Sequence, residues 1–301
     1  MVERDDLTKR SIPEMILSNL DEPASKTKAT EPFADDLSPE ETAALRFKVT
    51  GNVIITGGTG TLALAAARAF LEQGASGLAL LDLNPSSQSA VPHITSLRDR
   101  HPNIPIIILP CDVTSQSSIE TAITTAASQL GPIRHLAHFA GVVSCVPAMD
   151  VSAEEWSRVL SVNTSGAFNT SQAVARHIKS HGLGGSIVLV ASMSGHRVNY
   201  PQPQAAYNVS KAAVIHLVHC LAAEWAVHGI RVNSVSPGYA DTILNAGEGL
   251  QRCRDIWAGR NPMGRMAQPW EIAGPVVMLC STAAAYINGA DLVVDGGATV
   301  F

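Results

Sequence analysis

Short runs of apolar and β-branched residues alternate with longer Ala- and Leu-rich segments from Phe47 to the end of the chain. Strands that are buried on both faces read as continuous apolar runs. Parallel strands also need a crossover between them, usually a helix. The alternation therefore predicts a doubly wound α/β fold with a parallel sheet between layers of helices. The seven predicted strands are 52–56, 77–82, 104–110, 133–138, 186–192, 230–236 and 291–295.

The first 44 residues have a different composition, which is rich in Pro, Ser, Thr, Asp and Glu. They carry 11 acidic and 5 basic residues, whereas residues 45–301 carry 15 acidic and 16 basic residues. Segments with few apolar residues and a net charge do not form a packed core. We therefore expect residues 1–44 to be an acidic, flexible N-terminal arm and residues 45–301 to be one domain.

Composition excludes several classes of protein. No apolar run reaches the roughly 18 to 20 residues that cross a bilayer, and the N-terminus lacks a signal-peptide pattern. The nearly neutral body lacks the clustered Lys and Arg that nucleic-acid binding requires. The five cysteines include no C-x-x-C pair and fit reduced thiols. We expect a cytoplasmic protein that binds neither membrane nor nucleic acid.

A glycine-rich turn follows the first predicted strand, from Thr56 to Ala63, and contains Gly57, Gly58 and Gly60. In doubly wound sheets this turn commonly binds a pyrophosphate through main-chain N–H groups at a helix N-terminus. Glycine-rich turns also occur in α/β proteins without such a ligand, and a strict G-x-G-x-x-G is absent here. Both interpretations stay open from this segment alone.

Two aspartates follow the next two strands. Asp82 ends the second strand, 25 residues after Gly57, where a carboxylate can accept hydrogen bonds from an adenosine ribose. It would repel a 2′-phosphate, and residues 83–91 contain no Arg or Lys to bind one. Asp112 follows the third strand at the place of an adenine contact. The alternatives are a solvated strand end for Asp82 and an ordinary helix N-cap for Asp112.

Tyr207 and Lys211 are spaced i, i+4 at the start of a predicted helix, which places them on one face. A free phenol with a pKa near 10 is a poor acid or base at pH 7. A neighbouring ammonium favours the phenolate and should bring its pKa toward the working range. The pair therefore suits proton transfer to or from an alcohol or carbonyl oxygen.

Two polar residues lie upstream of this pair. Ser192 ends the fifth predicted strand, 15 residues before Tyr207, and so belongs to the same edge of the sheet. Asn163 lies within a long helical segment, where a buried amide is costly unless it is hydrogen-bonded. The group Asn163, Ser192, Tyr207 and Lys211 is the candidate catalytic set.

Several further motifs accompany this set in order and at consistent spacing: HFAG at 138–141, YNVSK at 207–211, PGYADT at 237–242 and VDGG at 294–297. Together they make residues 45–301 resemble the short-chain dehydrogenases/reductases, a family with a Rossmann fold. The segments 185–211 and 231–242 are most similar to fungal polyol dehydrogenases and ketose reductases of the arabinitol, mannitol and sorbose type.

The resemblance implies a role for each residue of the set. It implies that Tyr207 is the acid/base, that Lys211 holds the nicotinamide ribose and lowers the pKa of the tyrosine, and that Ser192 polarises the substrate oxygen. Asn163 would anchor a water in a proton relay. The implied cofactor contacts are Thr56, Gly57, Gly58, Gly60, Thr61, Leu62, Asp82, Asp112, Val113, Ala140, Gly141, Asn163, Tyr207, Lys211, Pro237, Gly238 and Thr242.

The chain departs from the family pattern at two places. Thr61 and Ala63 replace the second and third glycines of the usual turn, and Thr61 puts a β-branched side chain where the backbone normally approaches phosphate. His138 and Phe139 replace two asparagines, which removes side-chain amides that usually brace the sheet. We expect both changes to affect cofactor binding.

The leading hypothesis is an NAD-preferring oxidoreductase, with NADP as the less favoured cofactor, that interconverts a secondary alcohol and a ketone. One alternative is a tailoring ketoreductase of a secondary-metabolite pathway, and another is a cofactor-binding protein without turnover. Residues 243–263 are interpreted as a substrate lid, or else a surface excursion. The paired histidines lack a third ligand at zinc-like spacing, so no metal is expected.

The helix predicted over 205–228 bears on assembly. It carries one apolar stripe with Val214 and Val218 and further apolar residues, Ile215 and Ala222, on the other side. A second apolar face would be exposed to water unless a partner subunit covered it. Family resemblance implies a tetramer of closed symmetry, so we expect a homotetramer, with a homodimer as the fallback.

Overall fold

The structure, a computed structural model, describes residues 13–19, 21, 26–27 and 29–300. Its centre is a parallel sheet of seven strands in the order β3-β2-β1-β4-β5-β6-β7, which confirms the predicted fold class. The strands are β1 Asn52–Thr56, β2 Gly77–Asp82, β3 Ile106–Pro110, β4 Ile133–His138, β5 Gly185–Val190, β6 Ile230–Pro237 and β7 Asp291–Val294.

Helices cover both faces of this sheet. They are α1 Pro39–Phe47, α2 Thr61–Glu72, α3 Val91–Arg100, α4 Gln116–Leu130, α5 Ala153–Leu160, α6 Gly166–His181, α7 Ala205–Trp225, α8 Gln251–Gly259 and α9 Pro269–Cys280. One core lies between the sheet and α2, α3 and α9, around Phe70 and Ile55. The other lies under α4, α6 and α7, around Ile119 and Leu189.

Strand order reverses between β1 and β4, because the chain first builds outward through β2 and β3 and then returns to the other side of β1. The main chains of Thr56 and His138 are therefore neighbours at the ends of these strands. A crevice opens beyond the carboxyl ends of the strands at such a reversal, and ligands of doubly wound proteins bind there. The topology thus places the candidate residues at one edge.

The strand predictions hold closely, with small differences at the strand ends. β3 begins at Ile106 because Pro105 has no N–H for the ladder. β5 ends at Val190, so Ser192 lies in the turn after the strand. Three helices were missed: α1 falls in the expected arm, α3 carries mostly polar residues, and α8 lies inside the predicted lid. The helix predicted over 205–228 ends at Trp225 and continues as a short 3₁₀ turn.

The predicted arm lies partly outside the described residues. Within it, α1 crosses the expected boundary at residue 45. Ser38 caps this helix: its hydroxyl accepts from the Glu41 N–H, while the Glu41 carboxylate accepts from the Ser38 N–H. Such reciprocal capping begins a helix locally. A folded element therefore starts within the segment that composition marks as an arm.

The second apolar face expected on α7 needs correction. Ala222 is buried within the chain, and Ile215 packs against the core. Both side chains were expected to belong to a face that only a partner subunit would bury. The large apolar side chain that α7 exposes is Val209, at 48%, with the smaller Ala212 and Ala223 also exposed.

Candidate active site

The glycine turn between β1 and α2 brings the backbone close to the loop that follows β4. Gly57 has φ +60°, and a Cβ on it would lie 2.9 Å from the Ala140 main-chain nitrogen. Only glycine fits this position without displacing that loop. Gly58 lies against β2, where its N–H donates to the Leu81 carbonyl at 3.0 Å, and it does not line the cavities described below. The turn therefore lines the crevice through Gly57, Thr59 and Gly60.

The N-terminus of α2 faces this crevice. Gly60 is the N-cap residue, and no side chain hydrogen-bonds to this end of the helix within the described structure. Thr61 and Leu62 form the first turn and line the crevice. Main-chain N–H groups at a helix N-terminus together with the helix dipole favour an anion there. Thr61, which replaces a glycine of the family pattern, thus lies on the cavity wall directly after Gly60.

Two cavities meet at the glycine turn. One of about 330 Å³ is lined by Asp82, Asp112, Val113 and Ala140. The other, of about 400 Å³, contains Ser192, Tyr207 and Lys211. The residues that line both are Gly57, Thr59, Gly60, Phe139 and Gly141. The crevice is therefore an elongated site with a carboxylate-bearing end and a tyrosine-bearing end.

Asp82 ends β2 and is held by two main-chain donors. One carboxylate oxygen accepts from the Thr59 N–H at 3.0 Å, and the other accepts from the Asn84 N–H at 2.9 Å. These bonds fix the carboxylate beside the glycine turn. Each oxygen retains a lone pair that can accept from a ligand hydroxyl.

Asp112 has a local role that neither sequence interpretation described. Its Oδ1 accepts from the N–H and the hydroxyl of Thr114, at 2.9 and 2.7 Å. These hydrogen bonds lower the pKa of the carboxyl. The N-cap of α4 is Ser115. Asp112 therefore shapes the turn before the helix while it lines the carboxylate-bearing end of the crevice.

A Thr–His pair braces the sheet where the family pattern has an amide. Thr56 Oγ1 lies 2.8 Å from His138 Nδ1 and accepts from the Ala140 N–H at 3.3 Å. Burial lowers the pKa of His138 to about 3, with a further lowering by the charge of Lys211. The imidazole is therefore neutral at pH 7. The pair ties β1 to β4 without a side-chain amide.

Asn163 lies in a π-helical turn, Ser161–Ser165, between α5 and α6. Its amide exchanges two hydrogen bonds with the main chain of Val142: the Val142 N–H donates at 2.8 Å, and the amide donates to the Val142 carbonyl at 2.9 Å. The amide also donates to the Ser210 hydroxyl at 2.9 Å. The hydrogen bonds of this buried amide thus hold the loop after β4 against α7.

Ser192 begins the turn after β5 and faces Tyr207. Its hydroxyl accepts from the Ser194 N–H at 3.1 Å and donates to the Ser194 hydroxyl at 3.0 Å. A Cβ on Gly195 would lie 2.9 Å from the Ala212 main-chain nitrogen. The turn therefore packs directly against α7, the helix that carries Tyr207 and Lys211.

Tyr207 departs from the expectation for its pKa. Burial raises the pKa of this phenol above its ordinary value, and only a hydrogen bond with Ser192 opposes that effect. The Lys211 ammonium lies 5.7 Å from the centroid of the Tyr207 ring. It donates instead to the Val190 carbonyl at 2.8 Å. The expected lowering of the tyrosine pKa by Lys211 is therefore wrong for this structure.

Lys211 is itself strongly affected by burial. Its side chain is 5% exposed, and desolvation lowers its pKa to about 8. No carboxylate among the described residues forms an ion pair with it. A buried cation without an anionic partner is costly.

The loop after β6 forms another wall of the crevice. Its residues Pro237, Gly238 and Thr242 all line the tyrosine-bearing cavity. Sequence reasoning missed the neighbouring Tyr239, which stacks on Trp257 with ring centroids 4.1 Å apart. A local sequence signal for these contacts is the set of amide residues within 199–204. Because these amides, Tyr239 and Trp257 lie far apart in the sequence, no helical or strand periodicity links them.

The part of the chain that the structure describes bears on metal and membrane binding. Three or more side chains able to hold a metal ion do not come together there. None of the described helices is both long enough and apolar enough to cross a bilayer.

Comparison with known proteins gives a consistent match. The family model described as Enoyl-(Acyl carrier protein) reductase matches residues 58–299. The chain is 39% identical over 264 residues to the ribulose-forming D-arabinitol 2-dehydrogenase of Scheffersomyces stipitis, covering 83% of this chain and 95% of that protein. It is 35% identical over 256 residues to the NADP-dependent mannitol dehydrogenase of Hypocrea jecorina, covering 84% and 94%.

A solved structure agrees. The crystal structure of a short-chain type dehydrogenase/reductase from Mycobacterium marinum matches with a TM-score of 0.76 and 35% identity, covering 84% of this chain and 97% of that one. The region that the family model matches includes all four residues of the candidate set. The chain therefore belongs to the short-chain dehydrogenase/reductase family.

Proposed function

We propose that this protein is an oxidoreductase that interconverts a polyol and a ketose, using a nicotinamide cofactor with NAD preferred. The observation that carries the proposal is the cavity of about 400 Å³ that holds Ser192, Tyr207 and Lys211 beside the glycine turn. The arabinitol and mannitol dehydrogenases named above act on such substrates by their names. Their similarity supports a polyol as substrate here.

The residues of the crevice fit a dinucleotide. The Gly57 backbone leaves space where a side chain would collide with the main chain of Phe139 and Ala140 after β4, and the N-terminus of α2 presents N–H groups for a pyrophosphate. Asp82, Asp112, Val113 and Ala140 would hold the adenosine end. Tyr207, Lys211, Pro237, Gly238 and Thr242 would hold the nicotinamide end. When bound, a nicotinamide donates or accepts the hydride.

The side chains at the tyrosine-bearing end divide the remaining chemistry. Tyr207 would give the proton to a carbonyl oxygen or take it from an alcohol, as a general acid or base. The Ser192 hydroxyl would hold that oxygen where charge develops on it. Lys211 would hold the cofactor ribose and, once the ribose fills the site, act on the phenol electrostatically. Asn163 would hold the loop after β4 and a water of the proton relay.

Preference for NAD rests on Asp82. Its carboxylate is fixed beside the turn by the N–H groups of Thr59 and Asn84, and it would accept hydrogen bonds from a ribose diol. The same charge repels a 2′-phosphate. Residues 83–91 supply no Arg or Lys to compensate. Because one relative is NADP-dependent by name, the preference needs its own measurement.

The test is turnover. Purified protein is mixed with NAD and a panel of pentitols, hexitols and simple secondary alcohols, and with NADH and the corresponding ketones, while the absorbance of the reduced nicotinamide is followed. We expect turnover with secondary alcohols and with at least one polyol. Cofactor binding by calorimetry without turnover on any member of the panel would favour a binding protein and overturn the proposal.

We further propose a cytoplasmic homotetramer. The described structure has five free cysteines and no disulfide, which suits a reducing compartment. Apolar side chains are exposed on two separate faces: Val209 on α7 at 48% and Phe168 on α6 at 36%, and Trp270 on α9 at 68% and Val293 on β7 at 36%. Two such faces suit a closed assembly with two kinds of contact.

A further inference from the structure

The turn after β5 carries Ser192 at its start and His196 at its end. It is a single 3₁₀ turn, Met193–Gly195, with Ser192 as the N-cap residue and His196 as the C-cap residue. The His196 N–H donates to the Met193 carbonyl at 2.9 Å and so closes the turn. Because the two side chains belong to one short, closed turn, a contact that fixes His196 also restricts the movement of Ser192.

The start of this turn is held on the sheet by the main chain. The Ala191 N–H donates to the Val235 carbonyl of β6 at 2.9 Å. The Ser192 hydroxyl itself accepts from the Ser194 N–H and donates to the Ser194 hydroxyl, both within the turn. The start of the turn is therefore joined to β6, and the end of the turn is joined to the sheet by the side chain of His196.

The His196 side chain reaches Asp291 in β7. The imidazole Nε2 lies 2.7 Å from Asp291 Oδ2, and an ionised carboxylate can only accept, so Nε2 is the donor. The Asp291 side chain is 7% exposed, against 34% for the histidine. Since β6 lies between β5 and β7, this hydrogen bond spans a whole strand and links the turn of Ser192 to the edge of the sheet.

Asp291 is a fixed anchor for the histidine. Its other oxygen, Oδ1, accepts from the hydroxyls of Ser234 and Ser236, at 2.6 and 2.9 Å. Both serines belong to β6, which ends at Pro237, a residue of the tyrosine-bearing cavity. The carboxylate is therefore held by the strand that leads into another wall of the crevice, and His196 binds to a group that is already in place.

We propose that His196 is a positioning residue: by its hydrogen bond to Asp291 it holds the turn so that the Ser192 hydroxyl stays beside Tyr207, where the reacting oxygen binds. This inference rests on the proposed oxidoreductase function. A donor stabilises developing charge well only when its orientation is fixed before the reaction. The contact between His196 and Asp291 supplies that restriction from outside the crevice, without touching the substrate or the cofactor.

A merely structural contact makes a different prediction. If the hydrogen bond only fastened β7 to the rest of the sheet, its loss would impair turnover to the same extent whether or not position 192 carries a hydroxyl. If His196 acts through Ser192, its loss matters only while the serine is present. Non-additivity between the two positions therefore separates the two roles.

The first measurement compares two variants of His196. His196→Ala removes the hydrogen bond, whereas His196→Gln keeps an N–H donor at the place of Nε2. With saturating NAD and the most active alcohol of the panel, we expect kcat to fall by about 10-fold in His196→Ala and to return to within about 2-fold in His196→Gln. The Kd for NAD in calorimetry should change by less than about 2-fold in both, because neither variant alters a residue of the cofactor site. His93→Ala, at an exposed histidine of α3, is the matched control.

The second measurement repeats His196→Ala in a Ser192→Ala background. Loss of one charge-stabilising donor costs roughly 10²- to 10³-fold in kcat, which leaves a rate that more enzyme makes measurable. In this background we expect His196→Ala to lower kcat by less than about 2-fold. If the Ser192→Ala rate falls below detection, the comparison of His196→Ala with His196→Gln decides alone.

The outcomes are separable. Equal losses of kcat in the two backgrounds, a loss that His196→Gln does not restore, or an unchanged kcat in His196→Ala overturns the positioning role while the oxidoreductase function stands. Weakened NAD binding in His196→Ala overturns it as well, since the contact would then support the cofactor site. An unmodified protein that turns over no member of the panel overturns the proposed function and this inference with it.

Discussion

The Lys211 ammonium donates to the main-chain carbonyl of Val190 at 2.8 Å. This bond joins the first turns of α7 to the last residue of β5, two positions before Ser192. The lysine therefore does more than line the tyrosine-bearing end of the crevice: it ties the helix that carries Tyr207 to the strand that leads into the turn of Ser192. It does so as a buried cation, which is unfavourable for the folded state.

That unfavourable burial predicts a pH-dependent stability. The pKa of Lys211 is about 8 in the folded protein against an ordinary value of 10.5, so the unfolded chain holds the proton more tightly. The destabilisation is fully present below pH 8 and declines as pH rises toward 10.5. Relative to Lys211→Met, the unmodified protein should gain about 3 kcal/mol of unfolding free energy over this range. Urea unfolding of cofactor-free protein at several pH values measures it.

Lys48→Met, at an exposed lysine, is the control for general effects of alkaline pH. A constant difference between Lys211→Met and the unmodified protein from pH 7 to 10 would contradict the burial argument.

Tyr207→Phe removes the phenol proton and keeps the ring. Since a general acid or base contributes roughly 10²- to 10⁴-fold, turnover should fall by that factor, while NAD binding measured by calorimetry should change little. Turnover near the unmodified level would remove Tyr207 from the proton-transfer role.

Cofactor preference should reverse when the charge beside the glycine turn is reversed. In the double variant Asp82→Ser with Leu83→Arg, the carboxylate is gone and an exposed position gains a cation for a 2′-phosphate. We expect kcat/KM to favour NAD in the unmodified protein and NADP in the double variant. Leu83→Arg alone is the control. Equal or better kcat/KM with NADP in the unmodified protein would contradict the role given to Asp82.

Thr61 tests the altered glycine turn. If its β-branched side chain crowds the pyrophosphate, Thr61→Gly should lower the Kd for NAD in calorimetry, and Thr61→Ser, which lacks only the methyl group, should lower it less. Unchanged or weaker binding in both variants would mean that Gly60, the N-cap of α2, already provides the clearance.

Assembly should not depend on the first part of the chain. Deleting residues 1–37 leaves Ser38 and Glu41 to cap α1, so we expect a tetramer of the shortened chain with activity largely kept. Light scattering at micromolar concentration checks both proteins. A monomer in the full-length sample, or assembly lost with the deletion, would refute the proposed arrangement.

The sequence was sufficient for the sheet because its inner strands are buried on both faces and so read as continuous apolar runs, as in β1 and β2, while the partly exposed outer strands β3 and β7 are still short apolar runs. The positions of Ser192, Tyr207 and Lys211 followed from strand ends and helical spacing. The helix α3 was missed because it is largely polar and buries only Ile94 and Leu97.

The pKa of Tyr207 and the contacts of Tyr239 were beyond sequence reasoning for different reasons. Helical spacing places Lys211 on the same face as Tyr207, but the burial that raises the pKa of the phenol comes from other elements of the fold. The contacts of Tyr239 join the loop before α7, the loop after β6 and helix α8, and no local pattern links these segments. Both depend on tertiary contacts, which periodicity does not encode.

The hydrogen bond from Trp257 to Gln202 also constrains how this enzyme family can diversify. Ser192, Tyr207 and Lys211 are held by α7 and the turn after β5, so their arrangement can stay constant while the segment 243–263 changes. A new residue at 257, however, removes the indole donor of Gln202 and, with it, a constraint on the amide that donates to Tyr239. Positions 202, 239 and 257 should therefore be inherited as a set, and a chimaera that transplants α8 alone would lose the hydrogen bond that joins this helix to the loop before α7.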